Sequence, residues 1–233
     1  MSIIEHKATA RILGVTLDHN LSWIPHLKEV IKNFANKLSL LKKSKFLPSQ
    51  VCESFYVKVI QPSITYALPV WGGVNQAELF KTLEREHCHA ARIIFGFPSD
   101  MPTVDVLATV KWNTLTYMYK RSLIKLFFKG YHGMLPSTLA EELIIHGDRP
   151  SSRLKHGLIA PSFSSKYVQN SISYRGAVLW NAIGRSNRSI LECTDLKSFL
   201  KNVVNCHTFK DFNSNVLAPQ IINKRSENVN HGG

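Results

Sequence analysis

The chain has 233 residues, with 29 Lys and Arg against 16 Asp and Glu and an apolar fraction of 44%. This length and composition allow one large domain or two small ones around a hydrophobic core, and they exclude a wholly disordered, collagen-like or low-complexity chain. No apolar run approaches the roughly 18 residues that a membrane span needs, and the first residues lack the pattern of a signal peptide. We therefore expect an intracellular protein, nuclear or cytoplasmic, that is neither secreted nor bound in a membrane.

The formal net charge of +13 lies mainly at the two ends of the chain. Residues 1–47 hold eight basic and three acidic side chains, and residues 151–233 hold eleven and four. Such an excess favours a polyanionic partner, most simply nucleic acid, because basic side chains neutralise phosphates and release counterions. The near-neutral middle is typical of a folded body.

The first predicted element is a hairpin within residues 10–23. Ile12 to Leu17 favour a strand, and Asp18-His19-Asn20 is a polar turn that leads to a second short extended piece. Gly14 either permits close approach of another backbone or marks an ordinary strand bulge.

Residues 24–46 carry the clearest helical periodicity in the sequence. Six apolar residues follow one another at spacings of three and four, as one face of a helix requires: Ile24, Leu27, Ile31, Phe34, Leu38 and Leu41. Beside this stripe, within about 60° of one another on a helical wheel, lie Lys28, Lys32 and Lys43. These lysines form either a solvated face or a face that contacts phosphates.

Further helices are predicted along the rest of the chain. From Ser49 to Tyr66 a second helix is kinked or ended by Pro62, and its inward residues are predicted to be Val51, Phe55, Val59 and Ile60. A third helix covers Gln76–Gly96 and places His87 on the apolar stripe, which favours a core histidine over a ligand or base. The later helices are predicted at 102–110, 114–130, 136–145, from residue 174 and at 195–206.

The fold class is therefore mainly α, with an N-terminal β-hairpin, a multi-helix bundle and a loop-rich C-terminal region. Residues 148–173 hold seven serines and show weak periodicity, and the residues beyond 209 are predicted to form a mobile tail. The predicted segments are the hairpin, the helical bundle, the loop-rich segment with the last helices, and a disordered tail: 1–23, 24–146, 147–206 and 207–233.

Catalytic and metal-binding patterns are missing from this sequence. The four cysteines form no CxxC pair, and the neighbours His87-Cys88-His89 point in different directions on a helix. The six aspartates are scattered, whereas phosphodiester chemistry with two metal ions needs clustered carboxylates. We expect no metal, no cofactor and no catalytic residue in this chain.

Four blocks in sequence order resemble the C-terminal part of reverse transcriptases from non-LTR (LINE-like, jockey-type) retroelements. Arg11–Asp18, followed by Leu21-Ser22-Trp23 and His26-Leu27, is similar to the family's hairpin that joins palm to thumb. Val70-Trp71-Gly72 is similar to its "VWG" turn, and Leu83–Gly96 to its "AAR-I-I-G" helix. The block Ser173–Asn181 resembles the terminal "SYRGA-x-LWN" sequence.

This resemblance implies a thumb with its downstream region, which clamps the template–primer RNA/DNA duplex. The family's catalytic carboxylates belong to fingers and palm, which would precede residue 10, so Mg²⁺ would belong to the missing palm. The chain would then be part of an RNA-directed DNA polymerase and be inactive alone. Its proposed nucleic-acid contacts are Lys28, Lys32 and Lys43, with Gly14 at the primer-grip-like hairpin.

Other assignments remain open from the sequence. A free-standing nucleic-acid-binding module derived from a retroelement and a helical protein adaptor are the alternatives, and the oligomeric state is unknown. We expect Trp23 to be a packing anchor and assign structural roles to four further residues: Trp71, Arg92, Trp112 and Trp180. Arg175 is either surface charge or a paired core residue.

Overall fold

The computed structural model describes residues 8–44, 46–72, 77–144, 156–161, 168 and 171–206. The protein is mainly helical and begins with a two-stranded antiparallel hairpin, which confirms the predicted fold class. Strand β1 (Thr9–Ile12) pairs with β2 (Val15–Asp18), so that Thr9 faces Asp18 and Ile12 faces Val15.

The helices follow the hairpin with short connections. In chain order they are α1 (Ile24–Lys43), α2 (Ser49–Phe55), a π-helical segment (Tyr56–Ile60), α3 (Pro62–Thr65), α4 (Leu68–Trp71), α5 (Ala77–Phe95), α6 (Thr103–Thr109), α7 (Leu115–Tyr131), α8 (Ser137–Leu143), α9 (Ile172–Ser186), a 3-10 helix (Arg188–Glu192) and α10 (Leu196–Asn205). Every helix predicted from periodicity is thus present, with ends shifted by a few residues.

The hairpin turn is formed by Leu13 and Gly14, which have φ values of 48° and 81°. A two-residue turn with both φ values positive matches the right-handed twist of paired strands. The predicted turn at Asp18-His19-Asn20 is present, with the Leu21 N–H donating to the Asp18 carbonyl at 2.8 Å, but it follows the hairpin and does not connect its strands. Asp18 instead leads the chain into α1, because its Oδ1 accepts a hydrogen bond from the Trp23 backbone N–H at 3.0 Å.

The second predicted helix buries a different face from the one expected. Val51, Phe55 and Val59 are about half exposed, at 48%, 38% and 51%, and the prediction that they point inward was wrong; that for Ile60 is confirmed. The buried residues recur every four positions: Cys52, Tyr56, Ile60 and Ile64. On an α-helix this spacing drifts by about 40° per step, and the wider π-helical turn at 56–60 keeps these residues on one face. Pro62 is the first residue of α3, and Gln61 before it has helical dihedral angles (φ −56°, ψ −38°), so the chain stays helical there.

Capping residues explain where several downstream helices begin and end. Gly96, with φ of 72°, follows the last residue of α5 in the left-handed conformation that glycine tolerates. Thr114 Oγ1 accepts from the Tyr117 N–H at 3.1 Å, and Asp195 Oδ2 accepts from the Ser198 N–H at 2.7 Å. These side chains satisfy backbone donors at the starts of α7 and α10.

One hydrophobic core runs from Val15 of the hairpin to Cys206 beyond α10. A second, smaller cluster joins α5 to α6 through Cys88, Ala91, Val106 and Leu107. Within the described residues, no helix combines the length and apolarity needed to cross a bilayer. Most of the predicted loop at 148–173 and the whole predicted tail lie outside the described residues, and the division into four segments stays a prediction.

Candidate nucleic-acid interface

The three lysines predicted to contact phosphates all lie on the exposed side of α1. Lys28, Lys32 and Lys43 form no salt bridge with any residue in the described part of the chain. At 1.5 Å per residue, Lys28 and Lys43 are about 22 Å apart along the helix axis. We call these three residues, together with Lys42, the lysine face.

Lys42 is a member of this face that the sequence analysis missed. It is exposed and lies about 40° from Lys28 on the side away from Lys32. The same helical wheel that selected the other lysines would have found it, had the window been extended to both sides of Lys28. The four lysines span about 100° of the helix surface.

Burial of the opposite stripe holds the lysine face outward. Leu27, Phe34, Leu38 and Leu41 are at most 2% exposed, and α1 packs mainly against α5. The Phe34 ring meets the Tyr56 ring edge to face, with centroids 6.3 Å apart. Because a helix cannot turn about its axis without exposing such a stripe, the lysines have no route to the interior.

The acidic residue of α1, Glu29, is held by the hairpin rather than by the lysines. An Arg11 guanidinium nitrogen lies 3.2 Å from Glu29 Oε1, and Thr16 Oγ1 donates to Oε2 at 3.0 Å. The carboxylate is therefore already compensated. The lysine face has no acidic neighbour on its own helix that neutralises it.

A cleft of about 370 Å³ opens between the hairpin, α1 and the α3 region. Its polar walls are formed by Arg11, Asn33, Asn36, Lys37, Ser63 and Tyr66. The Tyr66 hydroxyl donates to the Leu13 carbonyl at 2.8 Å, which ties the hairpin turn to the wall of the cleft. The cleft therefore has a defined shape, since hydrogen bonds join both of its sides.

Gly14 lies at the rim of this cleft and is exposed. A Cβ placed on Gly14 would meet Tyr66 Cε1 at 3.7 Å, which is an ordinary contact. The positive φ of the turn, rather than lack of space, thus explains the glycine. Gly14 is therefore a turn residue, and neither close backbone approach nor a strand bulge, the two alternatives from the sequence, describes it. Its contact with nucleic acid stays a prediction.

His26, which belongs to the first sequence block of the resemblance, is a buried wall residue of the cleft. It is 4% exposed, and its Nδ1 accepts the Thr16 backbone N–H at 3.3 Å. Burial lowers the pKa of His26, although the nearby Glu29 carboxylate acts in the opposite direction. The neutral ring then carries its proton on Nε2, which has no partner within the described residues.

His87 occupies the core of the helical bundle, as predicted. The Tyr56 hydroxyl donates to His87 Nδ1 at 2.5 Å, and His87 Nε2–H donates to the Asn113 carbonyl at 3.0 Å. Burial lowers the pKa of His87 to about 4, so the ring is neutral near pH 7. Among the described residues, no group of three or more His, Cys, Asp or Glu side chains is placed to hold a metal ion.

Arg175 is a paired core residue, which resolves the alternative left open by the sequence. It is 3% exposed, donates to the Gly72 and Val70 carbonyls, and lies over the Tyr119 ring at 5.4 Å. Arg175 thereby joins α9 to the end of α4. Two of the sequence blocks that carry the resemblance therefore meet in the core.

The remaining predicted structural residues are also bound within the fold. The Trp71 and Trp180 indoles donate to the carbonyls of Tyr66 and His156, each at 2.8 Å. The Trp112 indole donates to Glu53 Oε1 at 2.9 Å, and Arg92 donates to the Met101 carbonyl at 2.6 Å. Trp23 is 8% exposed, as a packing anchor should be.

Gly176 provides a test of how closely α9 packs on α7. A Cβ at Gly176 would lie 1.8 Å from Phe127 Cε2, a buried ring carbon with no space to move. We expect Gly176→Ala to lower the free energy of unfolding by about 1–3 kcal/mol through overpacking, measured by urea denaturation. Adding Phe127→Leu should recover part of this loss, and strict additivity of the two changes would contradict the steric explanation.

Comparison with known proteins adds no relative: no family model, no curated protein and no solved structure matches this chain. The candidate interface is therefore defined by its own chemistry. It combines an exposed lysine face on α1 with an adjoining polar cleft. Residues of the same helix, whose opposite side is buried, form the lysine face and one wall of the cleft.

Proposed function

We propose that this chain clamps a template–primer nucleic-acid duplex through the lysine face of α1, as the thumb-like C-terminal part of a retroelement RNA-directed DNA polymerase. The observation that carries the proposal is the uncompensated lysine face, since Glu29 is bound by Arg11 and Thr16. The sequence resemblance to non-LTR reverse transcriptases supports the choice of an RNA/DNA hybrid as the duplex.

The chemistry of the face suits backbone contacts rather than base reading. An A-form-like duplex is held largely by its shape and its phosphates, because its deep major groove hides the base edges from side chains. Lysine supplies a point charge on a flexible stem, which fits phosphates whose exact positions vary along a strand. A helix side about 22 Å long can meet several phosphates at once.

Replacing Lys28, Lys32 and Lys43 together with Gln should weaken binding to an RNA/DNA hybrid. Each lost phosphate contact flattens the slope of log affinity against log salt by a little under one unit, so a loss of about two to three units is expected. The fold should survive, because exposed substitutions typically change stability by no more than about 0.5 kcal/mol each. Fluorescence anisotropy over a salt series measures both affinity and slope.

A matched control keeps the same change in net charge but moves it to other helices. Lys125, Lys197 and Lys201 are exposed on α7 and α10, and their joint replacement with Gln should change the slope by less than about one unit. Equal effects of the two triple variants would show that overall charge, rather than the lysine face, governs binding. An unchanged slope in the α1 variant would contradict the proposal directly.

A helical protein adaptor is the second candidate function. The observation that favours it is the exposed apolar stripe of Val51, Phe55 and Val59 on α2 and the π-helical segment. Exposed apolar faces of this kind often mark protein contacts. Affinity for the hybrid that is absent, or that does not depend on salt, would favour the adaptor over the clamp.

A further inference from the structure

We infer that the cleft between the hairpin and α1 binds one unpaired nucleotide of a nucleic-acid strand, with its base against Tyr66 and its phosphate near Lys37. The inference rests on the proposed function, because it treats the cleft as a continuation of the lysine face. It adds a distinct ligand to that surface: an unstacked base rather than a paired duplex.

The size and charge of the cleft fit a single nucleotide. Its volume of about 370 Å³ falls in the range of pockets that bind small organic ligands. Arg11 and Glu29 cancel each other through their salt bridge, and burial keeps His26 neutral. Lys37 forms no salt bridge within the described residues, so the walls carry one uncompensated positive charge for one phosphate.

The other walls of the cleft supply an aromatic ring for stacking and amide groups for hydrogen bonds to a base. Tyr66 is 56% exposed, and its hydroxyl bond to the Leu13 carbonyl holds it against the hairpin. An exposed aromatic ring gives a stacking platform that accepts any base. Asn33 and Asn36 line the opposite helix, and their amides carry both donors and acceptors, as base edges do.

The position of the cleft connects it to the lysine face. Asn36 lies about 20° from Lys43 and about 40° from Lys32 on the helical wheel of α1. A strand that runs along the lysines can therefore enter the cleft without leaving the helix. Such an arrangement favours the junction between duplex and single strand, where a base is already free of its partner.

One wall residue of the cleft, His26, carries a buried ring nitrogen without a hydrogen-bond partner among the described residues. This nitrogen is Nε2, and the side chain is 4% exposed. Buried polar groups are normally paired, because an unpaired donor loses its hydration without compensation. The His26 ring meets the buried Trp71 ring edge to face, with centroids 5.5 Å apart, so the cleft site rests on Tyr66, Lys37 and the two asparagines.

The test compares RNA/DNA hybrids that differ only at one end: blunt, with a three-nucleotide DNA overhang, and with the same overhang lacking its first base. A 2-aminopurine at the first unpaired position reports stacking by loss of fluorescence. We expect the intact overhang to bind roughly five- to 150-fold more tightly than the blunt hybrid, as stacking of one base predicts. The abasic overhang should lose most of this gain.

Variants of the cleft separate the ring from its hydroxyl. Tyr66→Leu should abolish the gain in affinity from the overhang and restore the fluorescence. Tyr66→Phe keeps the ring and loses only its hydroxyl bond to the Leu13 carbonyl, so it should retain most of the gain in affinity and of the quenching. Asn33→Ala with Asn36→Ala should also reduce the gain, since both residues are exposed and line the cleft. Affinity for the blunt hybrid should stay the same in all of them.

The outcomes distinguish failure of the inference from failure of the proposed function. Equal affinity for blunt and overhanging hybrids, in a protein whose blunt binding still responds to the lysine variant, overturns the cleft site alone. If no hybrid shows an affinity that depends on salt, the proposed clamp is wrong. The cleft site is then tested separately with a trinucleotide that carries 2-aminopurine. If the protein quenches the trinucleotide and Tyr66→Leu removes this quenching, the result supports the cleft site. If the protein does not quench the trinucleotide, the cleft site is overturned.

Discussion

Phe34→Ala is expected to lower the free energy of unfolding by about 3–5 kcal/mol. Phe34 has no exposed surface and lies at the centre of the stripe that seats α1, beside the Tyr56 ring. Truncation removes the buried ring and leaves a cavity that the surrounding helices fill only in part. Urea denaturation followed by circular dichroism measures the loss.

A control on the same helix separates burial from a general effect on α1. Leu40 is 53% exposed, so Leu40→Ala should change the free energy of unfolding by no more than about 0.5 kcal/mol. At temperatures where the Phe34→Ala variant stays folded, the slope of log affinity for the RNA/DNA hybrid against log salt should match that of the unchanged protein. A reduced slope in a folded Phe34→Ala protein would mean that the lysine face depends on this packing.

The second large effect is a loss of stability on acidification that arises from His87. Its pKa is about 4 in the folded protein, against about 6.5 for an unperturbed histidine. The unfolded chain therefore binds the proton more readily, and the stabilisation present above pH 6.5 is lost as the pH falls towards 4. Linkage gives about 3 kcal/mol at pH 4 for this shift.

His87→Gln isolates this contribution, because the amide can accept from Tyr56 and donate to Asn113 without titrating. The variant should lose less stability between pH 7 and pH 4 than the parent, by about 3 kcal/mol in urea denaturation. Burial also lowers the pKa of His26, which adds in the same direction, and raises that of Glu84, which opposes it. These groups act in both proteins, so the difference belongs to His87; parallel pH profiles would refute the assignment.

The two proposals for the α1 surface place different demands on the same helix. The clamp needs only that the lysines be exposed and that no acidic side chain neutralise them. The lysines are exposed, and Glu29 is paired with Arg11. The cleft needs a fixed distance between the hairpin and α1, which the hydrogen bonds from the Thr16 backbone N–H to His26 and from the Thr16 hydroxyl to Glu29 maintain. A variant can thus lose the cleft and keep the clamp.

The sequence by itself determined the helices, the lysine face of α1 and the core position of His87. These features follow from periodicity along a short stretch, since residues three and four apart share one side of a helix wherever that helix packs. The net charge of +13 likewise favours a polyanionic partner, which stays a prediction. The candidate phosphate contacts were therefore predictable as a face, and a wider window on the same helical wheel would have included Lys42.

Only the tertiary structure decided the features that depend on residues far apart in the chain. The turn at Leu13-Gly14 and the cleft behind it involve Tyr66, 53 residues away, and the burial of Arg175 depends on Gly72, 103 residues away. The inward face of α2 was mispredicted by one position, because two neighbouring sets share the same spacing of four, Val51-Phe55-Val59 and Cys52-Tyr56-Ile60, and the fold buries the second. Local periodicity carries no information about such partners, because packing between distant segments selects which of several compatible faces is buried.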